Sequence, residues 1–311
     1  MKHDVLMTGP MYPPTIAELE QTYNVHKLWN APDKESLIAS IAARVTAIAS
    51  SNSAKTDAAL LAKLPKLKTI AHFGVGYDPV DIDTARKRGI AVTNTPDVLT
   101  EEVADLTLGL LLATIRRIPQ GDRYVREGKW LKGPMALTDS LQGRTAGIIG
   151  MGRIGRAIAR RLEAFNVKIA YQGPRRKADL SWPHFTDPAA LAKECDVLIA
   201  ALPGGAATRG IVSRDVLEAL GPQGYFVNIA RGSVVDEVAL LEALQRNRIA
   251  GAGLDVFVDE PRVPEAFFAL ENVVLQPHVA SATHPTRKAM GQLVIDNLAA
   301  HFAGKPLLTP V

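Results

Sequence analysis

The sequence predicts an α/β protein of two doubly wound parallel-sheet domains with a cleft between them. Three observations carry that prediction. Short apolar runs alternate with helical patterns twice along the chain, the order that produces a parallel sheet covered on both faces. The alternation is interrupted near Thr95-Pro96-Asp97, where a long apolar helix and a linker follow. The second series then opens on G-x-G-x-x-G at Gly150, Gly152 and Gly155, set between an apolar strand and a helix.

In the first series VLM at 5–7, VHKLW at 25–29, VTAIAS at 45–50, LKTIAHF at 67–73 and IAVTN at 90–94 read as strands. TIAELEQTY, KESLIASIAA, DAALLAKL and DIDTARKRG, between them, read as helices. A helix from Glu101 to Ile118 is apolar nearly all round, as expected of one buried in a domain core or between subunits. Gly128, Trp130, Gly133 and Pro134 mark the linker to the second series, whose strands are TAGIIG, VKIAY, VLIAAL, YFVNIA, AGAGLDVF and VVLQP. The segment 283–305 reads as one amphipathic helix stopped by Gly304. Lying beyond the last strand of the second series, it is expected to cross back to the first domain. The domains are therefore expected at 1–97 with 286–311, and at 98–285.

Composition bounds the function. A chain of 311 residues, 47% hydrophobic and 22% charged, can bury two cores and is not disordered. Its net charge of +4 is scattered in short runs such as Arg175-Arg176-Lys177, which argues against a nucleic-acid partner. The N-terminus has no signal-peptide pattern, and LTLGLLLATI at 106–115 is too short to span a bilayer, so no membrane association is expected. A single cysteine, Cys195, leaves no internal disulfide and suits a cytoplasmic protein. Its place at the start of an apolar strand favours core packing over catalysis. No His/Cys/Asp spacing typical of a metal site occurs.

The glycine pattern has the context of a dinucleotide fingerprint: TAGIIG before it, a helix from Arg153 to Phe165 after it. Glycines there allow a tight turn and close backbone approach, so a pyrophosphate can sit at the helix N-terminus. Gly150, Gly152, Arg153, Ile154 and Gly155 are the candidate contacts. About 20 residues on, an acid that holds the ribose 2′-hydroxyl of NAD is expected. That place reads Gln172-Gly173-Pro174-Arg175-Arg176-Lys177. An acid there repels a 2′-phosphate by about 4 kcal/mol for one unit-charge pair at about 4 Å and an effective dielectric of about 20. Arg175 and Arg176 invert the preference if they fork onto that phosphate; their ordinary reading is a solvated basic turn. The missing acid favours NADPH over NAD.

NIARGSVVDE at 228–237, LDVFVDEP at 254–261 and VVLQPHVAS at 273–281 each begin in or end a strand. The carboxyl ends of such strands are where ligands bind in open α/β sheets, which places Arg231, Glu260 and His278 on one rim. Imidazole suits proton transfer near neutral pH. A carboxylate beside it favours the imidazolium, and an arginine binds a carboxylate by two contacts. Taken singly, Arg231 also reads as a surface salt bridge, Glu260 as a turn acid and His278 as a satisfied strand-end histidine.

These stretches, with HFGVGYDPVDIDTARKRGIAVTN at 72–94 and TPDVLTEEVADLTLGLLL at 95–112, resemble the D-2-hydroxyacid dehydrogenase family over almost the whole chain. The resemblance implies two Rossmann/flavodoxin-like domains, with Arg231 on the substrate's carboxylate and carbonyl, His278 as general acid/base and Glu260 as its partner. The amides of Val75 and Gly76 would hold the carboxylate, with Ser53 and the neighbouring loops setting side-chain specificity. On the cofactor, it implies Thr100 from the hinge side, Leu202 and Pro203 along the adenosine, and Thr208 on a phosphate. Ile229 and Ala230 would lie along the nicotinamide and Asp255 would accept from its carboxamide. Gly204-Gly205-Ala206-Ala207 departs from the bulkier polar loop common in the family.

The turn at 172–177 is similar to that of the glyoxylate/hydroxypyruvate reductase branch, which includes hydroxyphenylpyruvate reductases. A homodimer acting on small 2-keto acids is the expectation, with the helix at Glu101 to Ile118 in the dimer contact and Trp130 or Met135 reaching the neighbour. An NAD-dependent D-lactate-type dehydrogenase, a phenylpyruvate-type reductase and a dinucleotide-sensing corepressor are the alternatives.

Overall fold

The computed structural model describes residues 2–311. The chain divides into two compact units, one formed by residues up to Leu99 together with Ala282–Val311, the other by Thr100–Ser281.

The first unit holds β1 (Asp4–Met7), β2 (Asn24–Lys27), β3 (Ala47–Ser51), β4 (Thr69–Phe73) and β5 (Ala91–Thr93), in the order β2-β1-β3-β4-β5 and parallel throughout. Such strands are covered on both faces and need near-continuous apolar sequence. Val5, Leu6 and Met7 of β1 and all five residues of β3 and of β4 are accordingly buried. Leu6, Ile48, Ile70 and Val92 join Ile38, Leu61 and Leu64 in one core. VHKLW is only partly a strand: β2 ends at Lys27, and Leu28–Asn30 closes as a single 3-10 turn.

The helix His284–Phe302 belongs to this unit. Thr283 caps it by accepting the Thr286 amide at 3.3 Å, which offsets one of the orphaned amides of the first turn. Gly291 lies so close to Thr15 that a Cβ would fall 1.8 Å from its hydroxyl oxygen. The chain then returns along β5, where Val311 donates its amide to the Val92 carbonyl at 3.0 Å.

The second unit holds β6 (Thr145–Ile149), β7 (Lys168–Gln172), β8 (His184–Phe185), β9 (Val197–Ala200), β10 (Tyr225–Asn228), β11 (Gly251–Leu254) and β12 (Val273–Leu275). Their order is β12-β11-β10-β9-β6-β7-β8, again all parallel. The two-residue edge strand β8 has no apolar run to announce it in sequence. Asn228 is level with Leu254, and Leu254 with Leu275. The carboxyl ends of β10, β11 and β12 therefore form one edge. Cys195 is buried in this core, where burial pushes its thiol up to about 12; it is a packing residue.

The bounds of the long apolar helix are corrected. It runs Thr100–Ile115, Arg117 turns left-handed at φ 50°, and a separate helix occupies Ile118–Arg126. Pro119 is the cause: inside a continuous helix it would lack an amide for the Ile115 carbonyl and clash with it. Most apolar residues of the first helix are buried, while Leu106, Leu112 and Ala113 are half-buried. Val103, Ala104, Leu108, Leu110, Leu111 and Ile115 are all buried, and Glu101 and Asp105 pair with Arg160 and Arg161 of the helix Arg153–Ala164. The exposed apolar side chains come later, at Ile118, Val125, Trp130, Leu131 and Leu137.

Candidate active site

Beyond β10, Asn228 organises the turn. Its side chain is fully buried; Oδ1 accepts the Ala230 amide at 3.0 Å and Nδ2 donates to the Arg231 carbonyl at 3.0 Å. A short polar side chain at the end of an apolar strand competes for the backbone in this way and ends the strand. Arg231 leaves the turn with Nη1 donating to the Ala230 carbonyl at 2.8 Å. The next residue must be glycine, because a Cβ on Gly232 would lie 1.9 Å from the carbonyl carbon of Phe257. That close approach brings the Arg231 turn against the loop that carries Glu260.

Beyond β11, Asp255 secures the segment after β12. Its carbonyl accepts the His278 amide at 2.8 Å, Oδ1 the Val279 amide at 2.8 Å and Oδ2 the Ala280 amide at 3.0 Å. Burial pushes the Asp255 carboxyl up, and the two amides oppose that without cancelling it. His278 sits at φ 54°, a conformation that costs a non-glycine residue about 1–3 kcal/mol and persists only where the surroundings hold it. The three Asp255 contacts do so.

His278 Nδ1 lies 2.6 Å from Glu260 Oε2, while Glu260 Oε1 accepts the Phe257 amide at 3.0 Å. Burial opposes the charge on Glu260, but the His278 bond and charge, the Phe257 amide and the positive charge of Arg231 hold its carboxyl below the usual range. An ionised carboxylate only accepts, so the proton between the pair is on Nδ1 and Nε2 is the nitrogen directed elsewhere. Both side chains are about one-third exposed, at 32% and 35%, so a ligand can reach them.

Glycines at the fingerprint serve different ends. Gly150 has φ 97°, and a Cβ there would lie 2.6 Å from the Ala201 carbonyl oxygen; one on Gly155 would lie 2.3 Å from the Gly150 oxygen. Gly152 faces open space, with nothing within 4 Å of a built Cβ, and caps the helix Arg153–Ala164 without a side chain. The first amides of that helix, at Arg153, Ile154 and Gly155, have no intrahelical acceptor. An exposed Gly152 at a helix N-terminus whose first amides lack intrahelical acceptors fits a dinucleotide pyrophosphate. At the end of β7, Gln172 donates to the Thr186 carbonyl at 3.0 Å. Arg175 and Arg176 are exposed and have no ion-pair partner among the described residues. The nearby acid Asp179 is bound by Arg156 at 2.6 and 3.1 Å.

Other expected contacts fall unevenly. Leu202, Ile229 and Ala230 are buried at the strand ends, Pro203 is exposed, and Thr100 is the partly exposed first residue of its helix. Thr208 gives its hydroxyl proton to the Pro203 carbonyl at 2.8 Å, and Asp255 has both carboxylate oxygens on backbone amides. In the first unit, the amides of Val75 and Gly76 donate to no acceptor among the described residues. Ser53 is exposed, its hydroxyl 2.8 Å from that of Ser51. No group of three or more metal-ligating side chains occurs among the described residues, and none of their helices is long and apolar enough to cross a membrane.

The sequence profile of the D-isomer specific 2-hydroxyacid dehydrogenase NAD binding domain matches residues 108–280. The chain belongs to the D-isomer specific 2-hydroxyacid dehydrogenase family. It is 48% identical to glyoxylate/hydroxypyruvate reductase A of Arabidopsis thaliana over 99% of this chain and 98% of the relative. It is 47% identical to the hydroxyphenylpyruvate reductase of Plectranthus scutellarioides, with the same coverage. Its fold is similar to that of an NADPH-dependent glyoxylate/hydroxypyruvate reductase of Sinorhizobium meliloti, solved with NADP and malonate. The TM-score is 0.93 at 46% identity, covering 100% of this chain and 97% of the other.

Within this 2-hydroxyacid dehydrogenase, the structure brings Glu260 and His278 into contact and sets Arg231 beside them. Asn228 and the backbone grip of Asp255 were not read from sequence as supports. Their signal is present in the sequence: each is a polar residue that closes an otherwise apolar strand, YFVN and AGAGLD.

Proposed function

We propose that the protein reduces small 2-keto acids, glyoxylate and hydroxypyruvate foremost, to D-2-hydroxy acids with NADPH as the preferred reductant. The observation that carries this reading is the ionised Glu260 against Nδ1 of His278, with Arg231 on the same sheet edge. Bound reduced nicotinamide supplies the hydride. Arg231 holds the substrate carboxylate and polarises the carbonyl. His278, turned by Glu260, gives the proton on Nε2 to the oxygen that gains negative charge. Glu260 accepts the Nδ1 hydrogen bond and so fixes the ring's orientation. The amides of Val75 and Gly76 take the carboxylate from the first unit, which is the substrate-binding domain in this reading; Thr100–Ser281 is the cofactor-binding domain.

NADPH preference rests on the absent acid after β7 and on Arg175 and Arg176, which have no ion-pair partner among the described residues. A homodimer rests on the exposed apolar side chains at 118–137, and a cytoplasmic location on the chain's use of a single, buried cysteine, Cys195. The relative named hydroxyphenylpyruvate reductase, at 47% identity, supports a second reading with a bulkier aromatic 2-keto acid. The deciding experiment follows oxidation of NADPH and NADH with glyoxylate, hydroxypyruvate and phenylpyruvate. Turnover of the small acids with NADPH is expected. A phenylpyruvate preference selects the second reading, an NADH preference removes the role of the arginines, and no turnover with any pair overturns the reductase assignment.

A further inference from the structure

The turn after β4 holds three consecutive carbonyls by three different donors. The Gly74 carbonyl accepts the Thr95 amide at 2.9 Å. The Val75 carbonyl accepts Nδ2 of Asn94 at 2.9 Å. The Gly76 carbonyl lies 3.1 Å from Nε2 of the fully buried His72. A trans peptide points its C=O and the following N–H in opposite directions. Tying the Gly74 and Val75 carbonyls on one side therefore turns the Val75 and Gly76 amides to the other, where they have no protein acceptor among the described residues.

Asn94 differs from Thr95 in that it acts through a side chain, which a single substitution removes. It is itself held from the far end of the sequence. Thr309 Oγ1 donates to the Asn94 carbonyl at 2.6 Å, and the Asn94 amide donates to the Thr309 carbonyl at 3.2 Å. Thr309 is fixed in turn by the buried Asn297, whose Nδ2 donates to Thr309 Oγ1 at 3.0 Å. Without Asn94 the 75–76 peptide is free to rotate, and Gly76 makes that rotation cheap because glycine has no Cβ to restrict it.

We propose that Asn94 is a positioning residue for the substrate carboxylate: by binding the Val75 carbonyl it aims the Gly76 amide at the carboxylate, and Thr309 holds it in place. This rests on the reading that the Val75 and Gly76 amides bind that carboxylate. Aspartate at 94 cannot substitute, because its oxygens would face the Val75 carbonyl with no proton to share.

The test compares glyoxylate with its neutral methyl ester for wild type, Asn94→Ala, Asn94→Asp, Thr309→Val and the double variant Asn94→Ala/Thr309→Val. A hydrogen bond to a charged group is worth enough that its loss raises KM for glyoxylate about tenfold or more in Asn94→Ala. The KM for NADPH and the turnover of the ester are expected to stay near wild type. Asn94→Asp is expected to be worse than Asn94→Ala. Thr309→Val moves the same way by less, and the double variant is no worse than Asn94→Ala, as coupled residues are not additive. A glyoxylate KM for Asn94→Ala within about twofold of wild type, or an equal loss with acid and ester, overturns the proposal. Wild type that reduces neither compound refutes the reductase reading and this proposal with it; wild-type turnover with an unmoved Asn94→Ala KM refutes this proposal alone.

Discussion

Glu260 Oε2 accepts the Nδ1 proton of His278 across 2.6 Å, and this one bond sets which imidazole nitrogen is available for chemistry. Replacing His278 by glutamine removes the proton donor and is expected to lower kcat by about 10²–10⁴. NADPH affinity should change little. Glu260→Gln still offers an oxygen to Nδ1 but no charge, so a smaller loss is expected, about tenfold. Pre-steady-state single turnover with glyoxylate measures both; equal kcat for His278→Gln and wild type would remove the histidine from the mechanism.

The same pair predicts how stability depends on pH. The Glu260 carboxyl is held below its ordinary value of 4.5, so its charge contributes stability that is complete above that value. The contribution is lost as the pH falls below it through the lowered native value, because the unfolded chain then binds the proton more readily. Denaturant unfolding of wild type and Glu260→Gln should show a gap at pH 7 that narrows towards pH 3. A gap that is constant over this range would mean that the ionised carboxylate does not act on stability.

Much of this architecture was legible because parallel strands buried on both faces must be apolar throughout. VLIAAL and YFVNIA announce β9 and β10 in any context. Arg231, Glu260 and His278 were legible because each stands just past such a strand. What was not legible depends on contacts distant in sequence. Nothing near Asn94 indicates that Thr309 holds it, and nothing near β8 marks two residues as a strand until β7 lies beside them. The break at Arg117 had a local signal in Pro119, outweighed by the apolar run before it. Burial of most apolar residues of the Thr100–Ile115 helix could not be read from its composition, since a core and a subunit interface select the same residues.

Gly232 offers a test of packing rather than charge. A methyl group at this position would overlap the Phe257 carbonyl carbon at 1.9 Å, and the obstacle is backbone rather than a side chain that can turn aside. Overpacking typically costs about 1–3 kcal/mol and more where nothing yields. Gly232→Ala is expected to lower the unfolding midpoint and to reduce activity by at least about tenfold, because the Arg231 turn and the Glu260 loop must separate. Thermal unfolding and glyoxylate kinetics on the same preparation decide it; a variant with wild-type values for both would show that the two segments move apart freely.

Arg175 and Arg176 are exposed and unpaired within the described residues, so removing them breaks no internal ion pair. The double variant Arg175→Ala/Arg176→Ala should therefore keep its stability and its NADH kinetics. Its KM for NADPH should rise, by about tenfold or more, since charge-assisted contacts to phosphate are the strong class of hydrogen bond. Steady-state kinetics with both reductants gives the ratio directly, and an unchanged NADPH-to-NADH ratio would assign cofactor choice elsewhere.

Leu131 and Leu137 are 94% and 99% exposed, and Trp130 is 69% exposed, along a segment of fewer than ten residues. Large apolar side chains left in water at this density mark an association surface. The Thr100–Ile115 helix buries eight of its residues, whereas this later segment leaves its large apolar side chains in water, where a second copy can cover them. Wild type is expected to sediment at twice the chain mass of 33.4 kDa. Leu131→Glu/Leu137→Glu should shift it towards the monomer without altering the far-UV circular dichroism, because neither side chain contributes to a core. A monomeric wild type, or a double variant that remains dimeric, would place the contact on another face.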